Sequence, residues 1–130
     1  MNQSSNYPVL SSPSQIGEMK LKNKMVMAAM GSNFAGTNGH TTEQLTAYYE
    51  ERAKGGIGLI VLETSAITWP SGASMPNMIG FSKDEFIDDL KAFTERMHQH
   101  GAKVAAQLNH SGKIAQEAVS YTHLTLPTTD

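Results

Sequence analysis

The residues best able to do chemistry fall into three short clusters, each at the end of an apolar run. The most concentrated is Gln107-Leu-Asn109-His110-Ser111-Gly-Lys113, which gathers two amides, an imidazole, a hydroxyl and a cation behind Lys103-Val-Ala-Ala. Glu63-Thr64-Ser65 follows Ile57-Gly-Leu-Ile-Val-Leu62, and a loop rich in Gly, Ser, Asn and Thr between Gly31 and Gly39 follows Lys24-Met-Val-Met-Ala-Ala-Met30. Polar groups at the C-terminal ends of apolar strands are what parallel α/β enzymes use to hold a ligand. The chain has no cysteine, and no spacing of His, Asp and Glu resembles a zinc site. The chemistry to expect is therefore the binding of an organic ligand, with no metal. Gln107 reads either as such a contact or as an amide that satisfies backbone at a strand end. His110 reads equally as a loop residue or as part of the pocket wall.

These clusters need elements to hold them. After a polar leader over residues 1–6, Tyr7-Pro8-Val9-Leu10 offers an apolar plug and Pro13 keeps the chain extended. Gln15-Ile16 and Met19-Lys20-Leu21 flank Gly17-Glu18 as a two-residue hairpin. Lys24 to Met30 is the first expected buried strand. Thr41 with Gln44 fits a capping box. Leu45, Tyr48, Tyr49 and Ala53 then make one apolar helical stripe, with Glu50, Glu51, Arg52 and Lys54 opposite and Gly55-Gly56 as the stop. Both tyrosines are expected to pack. Ile57 to Leu62 is apolar on both faces, as a covered parallel strand should be, and is expected to stop at Glu63-Thr64-Ser65. Glu63 could serve as a base.

The connection from Ala66 to Gly80 contains Pro70, Gly72 and Pro76 and shows no periodicity. A loop of that length is more often functional than idle. Ser82 and Glu85 suggest a second capping box with Phe81 stapled onto Phe86. Phe86, Ile87, Leu90, Phe93 and Met97 form the buried face of the helix that follows. His98 and His100 suit its C-terminal end. Gly101 stops it, and Lys103 to Leu108 is the third strand, expected to be buried.

Composition sets outer bounds. The chain of 130 residues, 39% hydrophobic and 17% charged, is of ordinary globular type and suffices for one modest domain. A net charge of −2 gives no reason to expect nucleic acid or an anionic membrane surface. No apolar run approaches the ~20 residues of a membrane span. The start of the chain lacks the apolar core of a signal peptide, so a cytoplasmic location is expected.

Residues 119–130 change character without cap or turn logic. Val119-Ser-Tyr-Thr-His-Leu-Thr-Leu-Pro-Thr128 is what GTC TCT TAT ACA CAT CTG ACG CTG CCG ACG encodes, and that string resembles a transposase-type sequencing adaptor. The alternative is a natural threonine-rich linker. On the adaptor reading residues 1–118 are authentic and the chain is a fragment.

Strand–helix alternation calls for a parallel sheet, either doubly wound or closed into an eight-stranded barrel. The segment after the first strand, Met30-Gly31-Ser-Asn-Phe-Ala-Gly36, does not fit G-x-G-x-x-G, and no Walker lysine motif occurs. An N-terminal hairpin suits a barrel, which needs about 250 residues. The expected fold is α/β: the hairpin and first three strands of a truncated (β/α)8 TIM barrel, with an unpartnered third strand and poor stability in isolation.

Five segments in order then resemble one family. They are Tyr7-Pro-Val-Leu10 with Ile16-Gly17 and Leu21-Lys-Asn-Lys24; Val26-Met-Ala-Ala-Met30; Tyr48-Tyr49 through Arg52-Ala-Lys-Gly-Gly-Ile-Gly58; Leu62-Glu-Thr64; and Ala106-Gln-Leu-Asn-His-Ser-Gly-Lys113. Together the chain resembles the flavin-dependent Old Yellow Enzyme family, most closely its bacterial NADH:flavin oxidoreductase and 2,4-dienoyl-CoA or 2-enoate reductase branch. The resemblance implies a barrel with FMN at the C-terminal ends of its strands. Ala28, Ala29 and Met30 would line the flavin, Ala29 standing where the family usually has proline. Gly31 matches a position that carries a flavin-tuning threonine or cysteine. Thr64 would contact the flavin, Gln107 would bond its pyrimidine edge, and Lys113 stands where arginine is usual. Glu63 is then structural. The resemblance also implies a hydride relay from NAD(P)H through FMN to an alkene conjugated to a carbonyl in a small-molecule substrate. The catalytic residues would lie beyond residue 118. It allows a 4Fe-4S and FAD-binding extension after the barrel and a homo-oligomer of the full-length protein. The rivals are a flavin-free barrel enzyme of aldolase or isomerase type and a non-catalytic barrel-derived binding protein.

Overall fold

The architecture was obtained as a computed structural model that describes residues 6–115. A helical turn α1 (Pro8–Ser11) is followed by an antiparallel hairpin, β1 (Ser14–Ile16) and β2 (Met19–Leu21), in which Ile16 pairs with Met19 around Gly17 at φ +54°. The hairpin is the one expected, because glycine takes that positive φ without a Cβ clash. The segment expected as an apolar plug caps and enters the turn α1 and is not buried among the described residues, with Tyr7 70% and Val9 72% exposed.

Three βα strands follow in a parallel sheet. β3 (Val26–Met27) pairs with the start of β4 (Leu59–Ala66), and β6 (Lys103–Asn109) pairs with β4 along its length. A short strand β5 (Ile79–Gly80), at the end of the connection without periodicity, adds to the far end of β4 at Ser65 and Ala66. Because β6 occupies one edge of β4, β3 and β5 must succeed each other along the other.

The first strand is shorter and more open than expected. Only Val26 and Met27 pair, Met27 is buried, and Val26 and Met30 are about half exposed. β4 does not stop at Glu63 but continues to Ala66. β6 is the larger correction: five of its seven residues are exposed. Its apolar run implies burial, but as the outer strand of the described sheet it lacks cover on one side and a neighbour at its edge.

Helix α2 (Glu43–Lys54) is capped by Thr42, whose hydroxyl accepts from the Leu45 N–H at 3.1 Å, so the Thr41–Gln44 capping box does not form. Thr42 wins because its hydroxyl also donates to the Phe34 carbonyl, which fixes it to the preceding loop. The expected stripe holds, with Leu45, Tyr49 and Ala53 buried and Tyr48 partly so. Helix α3 (Ile87–Gln99) is entered through a 3-10 turn at Asp84–Phe86. Ser82 does not cap it. Its hydroxyl accepts instead from the Trp69 N–H at 2.9 Å. Phe86, Phe93 and Met97 are buried as expected, whereas Ile87 is 56% exposed. Gly101, at φ +73°, turns the chain into β6.

Both helices lie on one side of the sheet. Leu45, Tyr49, Ile60, Leu62, Phe93 and Met97 form the centre of that core. Charge ties the helices together outside it: Arg96 of α3 forks onto Glu43 at 2.7 and 2.9 Å and also reaches Glu50, which His100 meets at 3.0 Å. Arg96 first, and His100 next, hold the Glu50 carboxyl down at about 2.

Candidate cofactor site

The two strand ends that carry Thr64 and Gln107 come together through an irregularity in β4. Leu62 pairs with Ala106, but the next partner of the ladder, Gln107, pairs with Thr64, so Glu63 is one residue extra. Side chains alternate along a strand. Ile60 and Leu62 face the helices, which turns Val61 the other way. Were the same residues paired in an unbroken ladder, Glu63 would join Val61 and Thr64 would go under the helices. The bulge at Glu63 reverses this. Glu63 reaches Tyr49 of α2, and Thr64 lies beside Gln107 on the face that the helices leave open.

The bulge also removes Glu63 from the ladder, so its N–H needs another acceptor. Tyr49 supplies it: its hydroxyl accepts from the Glu63 N–H at 3.0 Å and donates to Glu63 Oε2 at 3.1 Å. Both residues are fully buried. Burial, and next the Glu63 charge, push the Tyr49 phenol far above its ordinary range, so it remains a donor. Glu63 Oε2 also accepts from the Ser32 N–H at 3.1 Å, while Oε1 is buried with no partner among the described residues. Glu63 is thus a strut between α2, β4 and the loop after β3, which agrees with the structural reading and leaves it no open face for work as a base.

On the open side, Ala28 is exposed, Ala29 half-buried and Met30 52% exposed. Gly31 follows them and comes close to Thr64: a Cβ built on Gly31 would stand 4.0 Å from Thr64 Oγ1 and 2.7 Å from the terminal methyl of Met75. Met75 comes from the long connection, which is laced to both neighbouring strand ends. Ile67 N–H donates to Asn109 O and Ser111 N–H to Gly72 O, while Asn77 N–H donates to Asn33 Oδ1 and Gly80 N–H to Gly39 O. The expected residues Ala28, Ala29 and Met30 therefore lie along one strand end, and Thr64 and Gln107 pair directly at the next two. His110 is exposed and accepts the Gly112 N–H on Nδ1, and Lys113 is exposed in a 3-10 turn. Met75, Tyr49 and Ser32 were not legible as parts of the site. Only the position of Glu63 behind an apolar run signalled its strut.

The model of the NADH:flavin oxidoreductase / NADH oxidase family matches residues 9–126. The chain belongs to that family. A member named NADH oxidase from Thermoanaerobacter brockii is 33% identical over 107 residues, which are 82% of this chain and 16% of that one. The solved structure of a 2-naphthoyl-CoA reductase superposes with a TM-score of 0.80 at 30% identity, covering 84% of this chain and 16% of the reductase. The old yellow enzyme of Trypanosoma cruzi gives a TM-score of 0.75 at 26% identity over 85% of this chain and 29% of its own. The chain thus spans a sixth to under a third of these relatives. Its fold is the first part of their α/β barrel, with hairpin and three βα strands in place. The reading of residues 119–130 as a foreign tail lies outside the described residues, and the family match runs through residue 126.

The residues present suit one edge of the family's FMN. An amide that both donates and accepts stands in register with a hydroxyl on an open face. That set complements a planar ring whose rim alternates donors and acceptors. The exposed strand end of Ala28 to Gly31 lets backbone approach such a ring closely.

Proposed function

We propose that the full-length protein is an FMN-dependent oxidoreductase that uses NAD(P)H to reduce an activated C=C bond of the enoate, enone or dienoyl type. Ala28, Ala29, Met30, Thr64 and Gln107 form the part of the FMN site supplied by its first three strands. The observation that carries the reading is the pairing of Thr64 with Gln107 on the open face of the sheet. The bound cofactor supplies the hydride chemistry. The chain's own residues orient the ring: Gln107 meets its donor–acceptor rim, Thr64 supports it beside Gly31, and Glu63 and Tyr49 hold those strand ends from behind.

Family membership weighs against both the flavin-free barrel enzyme and the non-catalytic barrel. The Thermoanaerobacter relative, of which 107 residues are only 16%, is far longer than the ~250 residues of a barrel. A full-length protein of that length has room for a 4Fe-4S cluster and FAD after the barrel. Residues 119–130 we assign to adaptor sequence, and the catalytic groups to later strands.

The test is expression of the full-length gene. The protein should purify yellow and be bleached by NADH or NADPH without oxygen, then recover its colour on adding an enone. A colourless protein that takes up no FMN overturns the reading. The 130-residue chain alone should not retain stoichiometric FMN after gel filtration, because three strands cannot enclose the ring.

A further inference from the structure

Of the side chains near the open face, Met75 is the one whose place the strand-end pattern does not explain. It is separated from Gly31 by 44 positions in sequence, yet the terminal methyl lies where a side chain on residue 31 would begin, 2.7 Å from the built Cβ, with its sulfur at 3.6 Å. A Cβ on residue 31 would force this methyl, the far end of a flexible side chain, to move aside, so the present place of Met75 goes with glycine at 31. The contact is not a loose surface encounter. Met75 packs with Trp69 on Ala66, Ala73 and Met78, and the connection carrying it is pinned on one side to Asn33 and Gly39 and on the other to Asn109 and Ser111. A polarizable, flexible thioether is therefore delivered to the junction of the first two strand ends, beside Thr64.

We propose that Met75 is a positioning residue of the cofactor site, and that Gly31 is glycine so that Met75 can take the space above it. Met75 fills from a neighbouring loop the place that a side chain on the first strand end would otherwise occupy. It closes the site next to Thr64 and sets how the ring sits against residues 28–31. An unbranched thioether suits this, because it adapts to an aromatic edge at little conformational cost. This inference rests on the proposed FMN site.

The experiment uses full-length protein loaded with FMN, in Met75→Ala, Met75→Leu, Gly31→Ala and the Gly31→Ala/Met75→Ala double variant. Two quantities are read: the position and shape of the visible flavin absorption bands, and the dissociation constant for FMN. Met75→Ala should alter the bands and weaken FMN binding by about two- to tenfold, the range that one thioether–aromatic contact supplies. Met75→Leu should restore most of the affinity. Gly31→Ala should perturb the bands by pushing Met75 aside, and that perturbation should shrink when Met75 is also truncated, so the two effects are not additive. Unaltered bands and affinity in Met75→Ala, or strictly additive effects in the double variant, overturn the role of Met75 while leaving the FMN site intact. A full-length protein that takes up no FMN overturns both.

Discussion

On the side of the sheet covered by α2 and α3, Tyr49, Ile60, Leu62, Phe93 and Met97 have almost no exposure, and even the bulged Glu63 has been drawn in and bonded. On the opposite side Val61 and Thr64 are half-buried, and Ala105 and Gln107 are exposed. The same two strands carry both faces. The helical side is a core that holds the strand ends, whereas the opposite side carries Thr64 and Gln107 with little cover among the described residues. Stability and cofactor binding should therefore separate along this sheet, residue by residue.

The strongest attempt to break that division is Phe93→Ala. Phe93 is fully buried and stacks edge-on against Tyr49 with ring centroids 5.5 Å apart. Its loss should cost about 3–5 kcal/mol in urea denaturation of the full-length protein. Tyr49→Phe is the next largest test. It strands the Glu63 N–H and removes a donor from its carboxyl, which should cost about 2–3 kcal/mol. A loss under half of that would mean the bulge is held by something else.

Acid should act more mildly and only on the helical side. The Glu50 carboxyl is held at about 2 in the folded protein, below its unfolded value, by Arg96 and then His100. Its contribution is therefore complete above the ordinary carboxylate range and is lost as pH falls from about 5 toward 2. Arg96→Gln should flatten that part of the stability profile without altering FMN uptake. Gln107→Ala lies at the other end of the scale. It should change unfolding by less than about 0.5 kcal/mol, yet weaken FMN binding by about tenfold, as loss of a bond to a polar ring edge would. If it destabilised the fold instead, the open face would not be a ligand rim.

The same division explains what could be read from the sequence. Helices, hairpin and strand order follow local rules, and Gly17, Gly56 and Gly101, all at positive φ, punctuate them. Gln107 and Thr64 stand out as polar residues ending apolar runs, but a strand-end amide can also serve backbone, and the roles expected of both come from the family resemblance. The cap at Thr42 was misplaced by one because two threonines adjoin, and only the Phe34 carbonyl, a tertiary partner, chooses between them. Burial of β6 was overestimated because Val104, Ala105, Ala106 and Leu108 record what a strand tolerates, not what covers it. Met75 over Gly31 joins two loops, and nothing local announces such a contact.

The extra residue at Glu63 has a consequence for how this strand could change. Between Val61 and Thr64, two positions that share a face, stand two residues where an unbroken strand would have one. Deleting the codon for residue 63 would leave a single residue between Val61 and Thr64, so the ladder would run unbroken with Thr64 still opposite Gln107 on the open face. What would go is the strut to Tyr49 and to the Ser32 N–H. The extra residue is an addition that serves the helical side and leaves the order of the other side as it was.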